Sequence, residues 1–222
     1  MSLLTRKLIA VGAAVVALGV LIALYVGSWA TSFPTSVAAT PAVRNNGADL
    51  TLETVAAIGP KYSPNNPDWV SYLVLRNGKW VHSTIYSVPA HSIVHVTIYQ
   101  YDGDSGLRNP FLSQVQGTVG GTMTVDGKVT KSIDPEEASH TFAIPELGIF
   151  VPLPGVPEEA NNQCEFAPCE GSAHRTISFS FRTGAKGRYH WQCFVPCAAG
   201  WLSGFGGPMQ TLGYMDGFID VT

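Results

Sequence analysis

The sequence is poor in charge and poorer still in cysteine. Charged residues make up 13% of the 222 positions and the formal net charge is −3. No basic run breaks this balance, so the cationic surface that nucleic acid requires is missing. The signatures G-x-S-x-G, H-E-x-x-H and the phosphate-binding G-x-x-x-x-G-K-[ST] are absent, which leaves little basis for an enzyme acting alone. The first cysteine is Cys164, and none follows the apolar N-terminal run, which excludes a lipidated cysteine anchor. No histidine occurs after His190. Glycine (23) and proline (15) are abundant instead. With the aromatic residues they give the punctuation of many short strands and turns.

Arg6 and Lys7 precede an uncharged apolar run from Leu8 to about Ala30. A bilayer span takes roughly 20 such residues, whereas a cleaved signal uses about 7 to 15, so length favours a membrane anchor over a signal ending near "GSWA". The positive flank keeps the N-terminal side in the cytoplasm and places the rest outside. The expectation is therefore a single-pass protein of the cell membrane with an extracytoplasmic C-terminal domain. Residues 1–30 are the anchor, and 31–68, rich in Pro, Ser, Thr, Asn and Ala, read as a linker. Within the linker, "ADLTLETVAAIG" is compatible with a short helix or a strand. In an exported domain, four cysteines point to disulfides of unspecified connectivity.

Residues 69–222 carry the strand signals. Two β-rich runs flank Asn77-Gly78, the strongest short hairpin signal. Val94, Val96, Ile98 and Gln100 alternate with His95, Thr97, Tyr99 and Tyr101 in "SIVHVTIYQYD", and Ile177, Phe179 and Phe181 alternate with polar residues in "HRTISFSFRT". A glycine-rich stretch at about 103–138 looks like an insertion with a small hairpin at "MTVDGKVT". "HTFAIPELGIFVPLPG" reads as a strand followed by a proline-punctuated loop. Seven or eight short strands make an all-β sandwich or barrel the expectation.

Three segments, "SVPAHSIVHVTIYQYD", "HTFAIPELGIFVPLPG" and "GRYHWQC...C", resemble cupredoxins in this order. They resemble more closely the extracellular domain of cytochrome c oxidase subunit II. His140, Phe142, Pro145, Leu147, Gly148, Pro154 and Gly155 match that family's first copper motif; Gly187, Tyr189, Gln192, Cys193 and Cys197 match its second. The resemblance implies a Greek-key β-sandwich behind one transmembrane helix. It also implies copper as cofactor, with His140, Cys193, Cys197 and Met215 as metal ligands, and integral-membrane redox subunits as partners.

The chain departs from the pattern at its ligands. Trp201 stands where the second histidine belongs and Gly204 where the methionine belongs, although Met215 resembles a common cupredoxin ending. A dinuclear centre shares two thiolate bridges and takes an imidazole on each copper, and a blue site takes two histidines, a cysteine and a weak methionine; both are one imidazole short here. His190, three residues before Cys193, points to the opposite sheet face and is a poor substitute, and His174 opens another strand from which it could approach. Compartment and the missing ligand therefore favour oxidised thiols over copper at Cys193 and Cys197. Cys164 and Cys169, in a loop that no copper motif uses, are expected to form a disulfide. Two functions remain: a copper-bearing component of a membrane redox complex, or a copper-free accessory subunit.

Overall fold

The computed structural model describes residues 2–31, 35–41, 47–62, 64, 67–197 and 207–222. The apolar N-terminal run forms one helix, α1 (Leu3–Thr31). Its stretch Leu3–Val26 holds 24 residues of mean hydropathy 2.7, long and apolar enough to cross a membrane. At 1.5 Å per residue that is about 36 Å, against a hydrocarbon layer of roughly 30 Å.

Pro34–Thr222 form a separate compact unit. Its strands in chain order begin with β1 (Val37–Ala38), β2 (Thr40–Pro41), β3 (Ala48–Val55), β4 (Ser71–Arg76), β5 (Lys79–Val81), β6 (Ile85–Val88) and β7 (Ile93–Gln100). They continue with β8 (Met123–Val125), β9 (Lys128–Thr130), β10 (Ala138–Ile144), β11 (Ile149–Pro154), β12 (Arg175–Arg182), β13 (Gly187–Gln192) and β14 (Asp216–Val221). Among the described residues these make two sheets, β1-β6-β14-β13-β10-β11 and β5-β4-β3-β7-β12-β8-β9, with β2 pairing β3. The pairs β1/β6, β6/β14 and β3/β7 are parallel and the other ladders antiparallel. The chain is thus an all-β sandwich preceded by a single helix, as expected.

Alternation fills the space between the sheets. Leu50 and Leu52 of β3, Val94, Val96 and Ile98 of β7 and Ile177, Phe179 and Phe181 of β12 meet Phe142, Trp191 and Ile219 of the other sheet in one buried cluster. Trp191 lies at its centre, stacked between Tyr86 and Phe142 with centroids at 5.7 and 5.3 Å, and Tyr72 meets it edge-on at 4.9 Å. Its indole N–H donates to the Thr84 carbonyl at 2.9 Å, so this large ring is buried without an orphaned donor. Gly217 is required beside it: a Cβ there would stand 1.9 Å from the Thr84 oxygen and 2.6 Å from the indole nitrogen.

Both hairpin signals hold. Asn77 and Gly78 take positive φ between β4 and β5, and Asp126 and Gly127 do so between β8 and β9. Three expectations need correction. The linker is no tether, because residues 48–55 form β3, which lies between β4 and β7; its alternating Leu50 and Leu52 complete the core, so the domain begins well before residue 69. The proline-rich "IFVPLP" is a strand, β11, at the sheet edge, where missing proline N–H donors leave no ladder bond unmade. The insertion is woven in, since β8 pairs β12 and Gln116 bridges Phe150.

Candidate metal centre

Strand alternation brings the candidate ligands to one end of the sandwich. His140 shares the parity of Phe142 on β10 and Cys193 that of Trp191 on β13, so both face the core. Cys193 is fully buried, His140 is 3% exposed and Cys197 8%. Their ligand atoms all lie within 4.8 Å of one another. His140 Nδ1 is 2.8 Å from Cys197 Sγ and 3.9 Å from Cys193 Sγ, and the sulfurs are 3.2 Å apart. Among the described residues this is the one group of three or more His, Cys, Asp or Glu side chains so placed.

The surrounding backbone fixes the sulfurs. Cys193 N–H donates to the Met215 carbonyl at 2.9 Å, and Thr141 N–H points at Cys193 Sγ at 3.4 Å. Phe194 N–H donates to Thr141 Oγ1 at 2.7 Å, and Cys197 N–H to the Val195 carbonyl at 2.7 Å. Met215 is fully buried in the same core cluster as both cysteines.

Sequence reasoning missed Asp102. It follows β7 with the parity of Ile98 and Gln100, and His140 Nε2 donates to its Oδ2 at 3.0 Å. Gly103 N–H donates to the other carboxylate oxygen at 2.8 Å, and the Asp102 carbonyl accepts from Val156 N–H at 2.9 Å. With Nε2 committed, Nδ1 faces the sulfurs. A ligating histidine ordinarily hands its second ring N–H to a carboxylate or carbonyl in this way. The one available signal was weak: Asp102 is the first acidic residue after Asp68, and it sits at a strand end.

Electrostatics follow from this geometry. Burial opposes charge on His140, and the hydrogen bonds to Asp102 and Cys193 overcome it, raising the imidazole to about 9. Burial likewise opposes the Asp102 carboxylate, and His140 and Gly103 outweigh it, leaving the carboxyl below its usual range. Cys193 is buried too, yet its hydrogen bonds with Cys197, His140 and Thr141 lower its thiol well below the ordinary value. Cys197 is held up by its hydrogen bond to Cys193, by burial and by the nearby Asp102 charge. The shorter imidazole contact is to Cys197, whereas the negative charge settles on Cys193. The hydrogen bonds of Cys193 with Cys197 and His140 place the charge there, and the Thr141 N–H adds to them. The sulfur pair therefore shares one proton and offers one thiolate beside an imidazole. A soft metal ion would displace that thiol proton and the Nδ1 proton of the imidazolium.

The other expectations divide. Cys164 and Cys169 are joined as a disulfide. Cys193 and Cys197 stand as free cysteines, their sulfurs 3.2 Å apart in contact without a bond. His190 is turned away and bonded to Asp216 at 2.7 Å, and the His174 ring packs on Tyr99 and Tyr101. Neither supplies the second imidazole. Trp201 and Gly204 lie outside the described residues.

No protein-family model matches the chain, and no curated protein does. Among solved structures the chain is similar to the copper protein rusticyanin at 15% identity, over 84% of this chain and 82% of that chain, with a TM-score of 0.33. Rusticyanin from Thiobacillus ferrooxidans gives 16%, 84%, 82% and 0.33, and reduced rusticyanin 17%, 84%, 84% and 0.30. Likenesses at this TM-score fix neither fold nor function.

Proposed function

We propose that this chain is a membrane-anchored, extracytoplasmic domain of cupredoxin type, resembling oxidase subunit II, that binds copper at His140, Cys193 and Cys197. It serves electron transfer or copper handling beside integral-membrane redox subunits. One observation carries the reading: two buried sulfurs and an imidazole converge, and the far side of that imidazole is tied to Asp102. Thiolate and imidazole donors suit copper in its reduced form, and among divalent first-row ions copper outranks zinc for such a set. Met215, buried in the same cluster, is the candidate for a weak additional sulfur. Copper bound here would supply one-electron chemistry. The protein's own part is to hold the thiolate, orient Nδ1 and exclude water. With one imidazole where a blue or dinuclear site needs two, the donor set favours holding a cuprous ion over rapid electron exchange.

The 3.2 Å between the sulfurs supports a second reading, a copper-free subunit in which Cys193 and Cys197 close a disulfide. One experiment separates the two. The full chain is purified in detergent, reduced, exchanged into anaerobic buffer and titrated with copper, with free thiols counted before and after. One copper bound per chain, with two titratable thiols lost on binding, supports the metal centre. No copper uptake and no free thiols in the unreduced protein support the disulfide subunit.

A further inference from the structure

Away from the metal centre the domain buries another carboxylate, and this one has no partner. Glu53 is 1% exposed, and among the described residues neither of its oxygens has a hydrogen-bond partner. Leu50, Leu52 and Thr54 take the inner face of β3, so Glu53 lies on the outer face, level with Leu73 of β4 and Tyr99 of β7. The loop of residues 157–174 covers this face. Its Ala167 and Cys169 join Val55, Ile58, Leu73 and Tyr101 in a second apolar cluster, and Ala167 N–H donates to the Ala57 carbonyl at 3.0 Å. The Cys164–Cys169 disulfide braces the loop.

The groups facing Glu53 do little for its charge. Glu170 comes from the covering loop, Tyr99 from β7 and Tyr101 from just beyond its end, and β4 presents the uncharged Leu73. The His174 ring packs on both tyrosines, at 5.6 and 5.2 Å. Among the described residues the opposing cation is Lys61, which is exposed and holds its ammonium over the Tyr62 ring. A metal ion does not resolve this: among the described residues no third Cys, His, Asp or Glu joins Glu53 and Glu170 in a ligand cluster. An ionised carboxylate in such a place is costly, so it stays neutral or reaches water.

We propose that Glu53 is a proton-operated latch: neutral, it lies sealed beneath the disulfide loop, and its ionisation releases that loop from Val55, Ile58 and Tyr101. Burial, reinforced by Glu170 and opposed by Lys61, raises its carboxyl from 4.5 to about 7. The closed loop is therefore fully favoured below pH 4.5, loses favour up to pH of about 7, and changes little beyond. Opening grows by about tenfold per pH unit inside that window.

Hydrogen exchange by mass spectrometry on the full chain in detergent tests this between pH 5 and pH 8, after correction for chemical exchange rates. In the wild type, peptides covering residues 164–173 are expected to open at least about tenfold more often at pH 7 than at pH 5. Glu53→Gln, neutral at every pH, is expected to flatten that dependence. Glu170→Gln removes a like charge and is expected to shift the rise to lower pH, which decides the matter should Glu53→Gln fail to fold. A flat wild-type profile, an equal rise in Glu53→Gln, or an unshifted rise in Glu170→Gln overturns the latch.

Discussion

Two of the places where the domain buries ionisable groups treat them in opposite ways. Between the sheets, Asp102, His140 and Cys193 form an unbroken chain of hydrogen bonds, so each charge is met by another. On the outer face of β3, Glu53 has burial without partners, and its pKa rises instead. A buried charge persists where it is paired and is discharged where it is not. The paired cluster is therefore read as a built site and the unpaired carboxylate as a hinge for protons.

Substitutions sharpen the contrast, beginning with the largest effect. Cys193→Ala with Cys197→Ala is expected to abolish stoichiometric copper binding while leaving the Cys164–Cys169 disulfide intact, read by metal analysis after gel filtration. Trp191→Ala removes the ring at the centre of the core and is expected to destabilise the domain by about 3 to 5 kcal/mol in chemical denaturation. Asp102→Asn keeps every metal donor but weakens the hold on Nε2; copper affinity is expected to fall about 10- to 100-fold in competition with a chelator.

The pH dependence runs in opposite directions at the two places. The folded-state pKa of Asp102 is lowered, so its contribution is present at neutral pH and is lost on acidification. That of Glu53 is raised, so stability is greatest in acid and declines from pH 4.5 to about 7. Glu53→Met is accordingly expected to stabilise the domain more at pH 8 than at pH 4.5, where replacing the neutral, partnerless carboxyl still gains about 1 to 3 kcal/mol. Arg188→Ala breaks an exposed pair with Asp220 and is the smallest change, at most about 1 kcal/mol.

The sandwich was legible in the sequence wherever one strand face was polar. β7 and β12 alternate strictly and their registers follow from that pattern. β3 and β11 were harder: the outer face of β3 is covered only towards its end, where it buries Glu53, and β11 is buried on both faces and carries prolines, so neither reads as a simple half-exposed strand. At the metal centre, His140 and the two cysteines were legible because their motif spacing survives. Asp102 was not, since its role arises only when the end of β7 meets β10, 38 residues further along the chain. The partnerless state of Glu53 depends in the same way on a loop more than a hundred residues later closing over it.

The most direct test of the metal centre is X-ray absorption at the copper edge on the full chain, reduced, loaded with one equivalent of copper and held in detergent. Two sulfur scatterers and one imidazole are expected, and the imidazole signal is expected to disappear in His140→Ala. A shell of oxygen and nitrogen alone, or a spectrum unchanged by His140→Ala, would contradict copper binding at this cluster.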